Sequence, residues 1–339
     1  MAQALARGVS EPVRAVGLLS GGLDSALAAK ILLDRGIEVV ALHLESPTAC
    51  RSDVRAVAAE LGVRLEIKPK GEEYLRLLRH PRWGYGRNMN PCIDCRRFMF
   101  TLGADYLEEF GAKFLFTGEV LGQRPMSQTR SAMQLIDRAA GLTGWILRPL
   151  SAQLLDPTEP EKRGWVDRST LFAIAGRGRH LQLELARRWG LTHHQSPGGG
   201  CLLTDAHFSN KLRDLFEHRA EDATTVEDVA LLRIGRHFRI GPDLKIVIGR
   251  DREENAALTR YQSAERFCVE PVDFNAPTAL VCGNRDETSL RIAGELIAAH
   301  ARGVPSGARL RWREGAGWVE RELSPAEPRA PDVALAALR

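Results

Sequence analysis

The chain has 339 residues, 44% hydrophobic and 27% charged, a balance that excludes a disordered or fibrous chain and suits two globular domains better than one. No run of about 18 apolar residues occurs, and the opening MAQALARGVSEPVRA lacks a secretory apolar core, so a cytoplasmic location with no membrane partner is expected. The formal net charge of +4 permits nucleic acid without demanding it; only seven of the 47 basic residues are lysine, a bias toward the better phosphate fork that genome composition also produces.

VRAVGLLS (13–20) is an apolar run ending at a glycine turn and reads as a buried strand. LDSALAAKILLDRG (23–36) has apolar residues at helical spacing and stops at Gly36. IEVVALHL (37–44) is the next strand, SDVRAVAAELG (52–62) a helix, VRLEIKP (63–69) a strand, and KFLFTGE (113–119) a strand after a helix around 97–110. Strands alternating with helices predict an α/β fold, a doubly wound parallel sheet, over about residues 1–210. LRPLSAQLLDPTEPEKRGW (147–165) reads as an irregular connector, HLQLELARRWGL (180–191) as a helix, and SPGGGCLLTD (196–205) as a glycine-rich turn. EHRAEDATT (217–225) is polar and marks a hinge. Beyond it, LLRI, HFRI and LKIVIG (231–249) read as closely spaced strands. A helix at 251–265, a strand at TALVCG (278–283), a helix at 286–301 and a strand at ARLRWRE (308–314) follow. These predict a second, smaller α+β domain over 215–325, with a tail at 326–339.

Ser20-Gly21-Gly22-Leu23-Asp24-Ser25 lies where a strand meets a helix. Free backbone N–H groups and the positive helix end make such a junction an anion site. Gly21 and Gly22 let the backbone approach phosphates closely, and Ser20 and Ser25 add hydroxyls. A carboxylate is misplaced against bare phosphate, so Asp24 is read as meeting Mg²⁺ that bridges the phosphates. The lysine of the G-x-x-x-x-G-K-[ST] loop is missing.

Ser20–Ser25 resembles the PP-loop of the ATP pyrophosphatase superfamily, whose fold is adenine nucleotide alpha hydrolase-like. The resemblance implies ATP and Mg²⁺ as cofactors and transfer of AMP to a carbonyl-type oxygen. Thr117-Gly118-Glu119-Val120-Leu121-Gly122-Gln123, Ser127-Gln128-Thr129 and Leu147-Arg148-Pro149-Leu150 are similar to stretches of the 4-thiouridine synthase (ThiI) family. This similarity spans roughly 13–205. Glu119 and Gln123 sit after a predicted strand end, on the side where ligands bind in open α/β sheets, and read equally as lining the nucleotide pocket or as loop; Gly118 and Gln123 join the expected nucleotide-binding residues. The similarity implies tRNA as partner and allows a homodimer. That family's usual THUMP and rhodanese-like domains are not expected in these 339 residues. HFRIGPDLKIVIGRDREEN (237–255) is similar to the NFACT-R (DUF814) type associated with RNA binding, so tRNA binding is expected of the second domain.

Cys92-Ile93-Asp94-Cys95 places two thiols within one turn, and Cys201 follows Gly198-Gly199-Gly200. Cytosolic C-x-x-C points to metal or redox chemistry. Three thiolates on a [4Fe–4S] cluster leave one iron open to an outside ligand, and PP-loop thiolases that this chain resembles use such a set. Persulfide chemistry, with one cysteine carrying sulfur and another resolving it, is a second reading. Zinc with His193 or His194 as fourth ligand is a third, and inert thiols a fourth. Cys50, Cys268 and Cys282 read as structural. Arg148 reads equally as a phosphate clamp or a surface arginine, GRGRH (176–180) as an RNA-contacting or solvated turn, and Trp83 and Tyr85 as core or base-stacking residues.

The expected activity is ATP-dependent thiolation of a tRNA uridine, with Asp24, Cys92, Cys95 and Cys201 as catalytic residues. Hydrosulfide or a persulfide-carrying protein would be the sulfur donor. An amide-forming PP-loop synthetase, adenylating sulfur transfer on a small molecule, and an RNA-binding protein with a degenerate nucleotide site are the alternatives.

Overall fold

The computed structural model describes residues 12–50, 52–194 and 201–323. The glycine run 198–200 and the tail lie outside them. The chain divides into two compact units, Met1–Cys201 and Leu202–Arg339.

The first unit runs β1 (Arg14–Leu18), α1 (Leu23–Leu33), β2 (Glu38–Glu45), α2 (Val54–Leu61), β3 (Arg64–Pro69), α3 (Gly71–Arg79), α4 (Cys92–Glu109), β4 (Phe114–Thr117), α5 (Arg130–Ala139), β5 (Ile146–Leu147), α6 (Glu159–Lys162) and α7 (His180–Trp189). Its strands form one sheet in the order β3-β2-β1-β4-β5, parallel at every pairing. Both faces are covered at the centre of the sheet, so β1 and β4 are nearly continuous apolar runs, whereas the edge strand β3 carries Arg64, Glu66 and Lys68. Alternate side chains go to opposite faces. Ala15, Val39, Phe114 and Phe116 pack with α1, α2 and α7. Val16, Val40 and Leu115 pack with Phe100 and Phe110 around α4 and with Ile136 of α5. Helix α1 buries eight of its eleven residues, which explains why it is apolar around its whole circumference.

From β1 the chain winds outward through β2 and β3, then crosses back to β4 on the other side of β1. The carboxyl ends of β1 and β4 are therefore the switch point where open α/β sheets bind ligands. Gly118, directly after β4, lies against the start of α1. A Cβ on Gly118 would stand 2.4 Å from the backbone of Asp24 and Ser25.

In the second unit come α8 (Ala206–His218), α9 (Val226–Leu231), β6 (Arg236–Gly241), β7 (Leu244–Ile248), α10 (Arg252–Leu258), β8 (Arg266–Pro271), β9 (Ala279–Cys282), α11 (Glu287–His300), β10 (Arg309–Glu314) and β11 (Gly317–Glu322). Its sheet, ordered β11-β10-β8-β9-β7-β6, is antiparallel at every pairing. The expected boundary at 210–215 falls inside α8. The Asp214 carboxylate ties that helix to this unit, accepting from Arg239 at 2.8 and 3.0 Å and from Lys245 at 2.8 Å. LLRI is not a strand. Thr225 and Asp228 form a capping box that nucleates α9, and the chain turns after Leu231. Strands β8 and β11 are additions to the sequence reading. Among the described residues, no helix is long and apolar enough to cross a membrane.

Because backbone, not a flexible side chain, faces Gly118, Gly118→Ala should destabilise the first unit by about 1–3 kcal/mol in denaturant unfolding. Gly178→Ala, where nothing lies within 4 Å of the added carbon, should be close to neutral. Equal stability of the two variants would show that the contact does not constrain the fold.

Candidate active site

At the β1/β4 switch point lies a cavity of about 630 Å³, within the range of small-molecule sites. Ser20, Gly22, Asp24, Ser25, Gly118, Gln123, Cys92, Cys95 and Cys201 all line it. Gly21 does not; it makes the turn at φ +76°, a conformation that favours glycine. The Ser20 and Ser25 hydroxyls are 3.2 Å apart, and Ser25 donates to the Gly22 carbonyl at 2.8 Å. Gly22 caps α1 without a side-chain hydrogen bond, so the helix start keeps free N–H groups for an anion.

Asp24 is held by two donors on one oxygen. Its Oδ2 accepts from Gln123 Nε2 and from Arg179 Nη2, each at 3.1 Å. Its Oδ1 is buried with no hydrogen-bond partner, as is Arg179 Nε. A buried carboxylate oxygen left unpaired is costly, and a hard cation is a fitting partner for it. Mg²⁺ therefore fits here by donor chemistry. Arg177 and Arg124 also line the cavity, so a polyanion meets positive charge on several sides.

The thiols share this cavity but differ in surroundings. Cys92 begins α4 and donates to Asn90 Oδ1 at 3.2 Å. Burial pushes its thiol pKa up, with Cys95 adding to the effect against Arg96 and Arg124. At Cys95 burial acts the same way, but Lys70, the Tyr74 hydroxyl and Arg96 outweigh it and hold the thiol below its ordinary value. Tyr74 Oη lies 3.2 Å and Lys70 Nζ 3.6 Å from the Cys95 sulfur. Tyr74 stays a phenol, its pKa raised by burial and by the two neighbouring sulfurs of Cys95 and Cys201. Cys201 reaches the Thr48 carbonyl at 3.8 Å. Among the described residues, no three His, Cys, Asp or Glu side chains gather closely enough to hold one metal ion. His193 does not join the thiols either; its backbone N–H meets Glu60. A [4Fe–4S] cluster takes each thiolate on a separate iron.

Three readings of single residues need correction. Cys50, read as structural, lines the cavity. Arg148 neither clamps phosphate nor lies on the surface. It is buried, donates to Glu119 at 3.0 Å and grips Asp137 with two bonds at 2.9 and 2.7 Å. Glu119 lines the cavity, but its charge is committed to Arg148 and to Arg96, 3.4 Å away. The GRGRH turn points Arg179 inward, onto Asp24. Lys70, Tyr74, Arg96, Arg124 and Arg177 were not legible as site residues. Only the basic character of the 176–180 turn gave a signal, and it suggested a different partner.

Residues 8–154 match the family described as thiamine biosynthesis protein (ThiI), and residues 235–308 match the NFACT protein RNA binding domain. A probable tRNA sulfurtransferase from Thermococcus kodakarensis is 35% identical over 147 residues, 40% of this chain and 36% of that protein. Another from Methanothermobacter thermautotrophicus is 32% identical over 238 residues, 67% of this chain and 54% of that one. A solved 4-thiouridine synthetase–RNA complex with bound ATP overlaps 65% of this chain and 52% of its own, at 23% identity and a TM-score of 0.38. The chain thus spans only 36% and 54% of the length of these two curated relatives. With an S-G-G-x-D-S turn at the switch point of a parallel sheet and a ThiI match over the same residues, the first unit is similar to the ThiI family.

Proposed function

We propose that this chain is an ATP-dependent tRNA sulfurtransferase acting in the cytoplasm. One observation carries the reading. The PP-loop and the thiols Cys92, Cys95 and Cys201 line a single cavity, so oxygen activation and sulfur delivery have a common place. The match to ThiI and the tRNA sulfurtransferase names of the relatives support the same choice. The second unit, through its match to an RNA-binding domain, is assigned to hold tRNA.

In this reading ATP lies with its phosphates on residues 20–25. Asp24 Oδ1 would hold Mg²⁺, and Arg177 and Arg179 would face the pyrophosphate. A uracil carbonyl oxygen attacks the α-phosphorus, the bond to the β-phosphate oxygen breaks, and pyrophosphate leaves. The base now carries AMP on its former carbonyl oxygen. Sulfur adds at that ring carbon, the C–O bond breaks, and AMP departs with the oxygen. Cys92, Cys95 and Cys201 would hold a [4Fe–4S] cluster, which supplies an iron open to an external sulfur ligand. The surrounding Lys70, Arg96 and Arg124 neutralise thiolate charge in either carrier chemistry. The Lys70–Tyr74 pair at Cys95 favours one alternative carrier, a persulfide on Cys95 supplied by a persulfide-bearing protein and resolved by a second thiol. An amide-forming synthetase leaves all three thiols idle, and a degenerate nucleotide site sits poorly with the half-satisfied Asp24 carboxylate.

Asp24→Asn should lower tRNA-dependent pyrophosphate release about 100-fold or more while the unfolding midpoint stays unchanged. Turnover at the wild-type rate would remove Asp24 from the mechanism.

Alanine at Cys92, Cys95 or Cys201 should each cost most of the iron and the broad visible absorption of anaerobically prepared protein. Cys268→Ala and Cys282→Ala, both in the second unit, should keep them. Fully active wild-type protein without iron, with a sulfur adduct on Cys95 alone, would replace the cluster with the persulfide carrier.

A further inference from the structure

Residues 74–104 hold six arginines, Arg76, Arg79, Arg82, Arg87, Arg96 and Arg97, against one acid, Asp94. That acid is spent internally. It is buried, and its two oxygens accept the backbone N–H groups of Arg82 at 3.0 Å and Trp83 at 3.1 Å. Asp94 thereby pins the 80–91 loop to the first turn of α4, between Cys92 and Cys95, and is not available to the arginines. Glu72 and Glu73 precede Arg76 by four and three residues on α3, yet no ion pair joins them to it in this structure. Arg76, Arg82 and Arg87 are exposed. Among the described residues, none of these three forms an ion pair.

The loop also carries aromatic surface. A Cβ on Gly86 would stand 1.8 Å from Met126 Sδ, so the loop rests directly on the segment that carries Arg124. Tyr85 is 40% exposed, yet its hydroxyl is anchored on the carbonyls of Leu78 and Arg79. Its ring is thus presented to solvent at little further entropic cost. The Arg82 guanidinium lies 4.9 Å from the centroid of Trp83. From this rim Asn90, Cys92, Cys95 and Arg96 continue as the cavity wall. Unpaired arginines beside a fixed, exposed aromatic ring are the chemistry that grips phosphates and stacks an unpaired base. A base must leave its stack to be modified inside a cavity, so the cavity rim is where such a grip is needed.

We propose that the segment 76–97 is the RNA-docking surface of the first unit, with Arg76, Arg82 and Arg87 on phosphates flanking the target nucleotide and Tyr85 stacking a neighbouring base. The inference rests on the tRNA reading above and adds to it a second RNA contact, separate from that assigned to residues 235–308.

The test uses the full chain and unmodified tRNA, with affinity measured across a salt series. In the triple variant Arg76→Gln, Arg82→Gln, Arg87→Gln, affinity at low salt should fall 10-fold or more, and the slope of log affinity against log salt should shrink by about 2–3. ATP affinity without RNA should be unchanged, which also reports an intact fold. Tyr85→Ala should weaken binding about 5- to 100-fold without changing the slope. Neutralising Arg138, Arg187 and Arg188 on α5 and α7 should leave the slope nearly intact. A triple variant with wild-type affinity and slope overturns the docking surface while tRNA thiolation by the wild type stands. An equal loss in the α5/α7 control overturns it too, since net charge alone would then account for the effect. Wild-type protein that neither binds nor thiolates tRNA removes both the surface and the reading beneath it. Binding to anionic lipid vesicles but not tRNA, lost in the triple variant, would assign the arginines to a different partner and overturn the proposal.

Discussion

The site is organised around a backbone approach that only glycine permits. Gly118 leaves β4 directly against the Asp24–Ser25 peptide, with no space for a Cβ. This contact brings the turn after β1 and the loop after β4 together at the sheet's switch point. Gln123, five residues past Gly118, then reaches Asp24 at 3.1 Å, and Arg179 closes on the same carboxylate oxygen from the other side. The carboxylate is fixed by these two donors with its second oxygen left for a cation. The S-G-G-x-D-S turn thus joins a helix start to a carboxylate held by two donors.

Charge in the cavity wall is arranged in two layers. The outer layer is free to act. Lys70, Arg124 and Arg177 line the cavity, and Lys70 together with Tyr74 sets Cys95 apart from Cys92 although the two lie one turn apart. The inner layer is structural. Arg148 is locked by Glu119 and Asp137, and Glu119 in turn faces Arg96. Removing one member of such a buried network strands the remaining charge, at a cost of about 3–5 kcal/mol. Arg148 therefore belongs to the frame that orients the wall, and its effect on any ligand passes through Glu119 and Arg96.

What the sequence made legible was what local backbone chemistry dictates. The S-G-G-x-D-S turn, the strands of the first unit and the C-x-x-C pair each follow from adjacent residues. Features that depend on distant partners were not readable. Arg148 meets acids 29 and 11 residues away, so its burial has no local signature. The inward turn of Arg179 depends on Asp24, 155 residues earlier. Helix α3, which carries Tyr74, is nine residues long and lies in a stretch left unassigned. In the second unit, β11 is exposed along nearly its whole length and carries three glutamate or arginine residues at its end, a pattern that reads as loop. The domain boundary was misplaced because α8 looks like an ordinary amphipathic helix, and only the grip of Asp214 on Arg239 and Lys245 assigns it to the second unit.

The central claim is that one cavity activates a uracil oxygen with ATP and replaces it with sulfur. Oxygen tracing tests it most directly. tRNA carrying ¹⁸O at the uracil carbonyls is turned over with unlabelled ATP and sulfide, and the released AMP is weighed by mass spectrometry. The account predicts one ¹⁸O in AMP for each thiolated base, because the C–O bond breaks on the base side. Thiolated RNA formed alongside unlabelled AMP would contradict it, since the oxygen would then have left by a route that does not pass through an adenylated base.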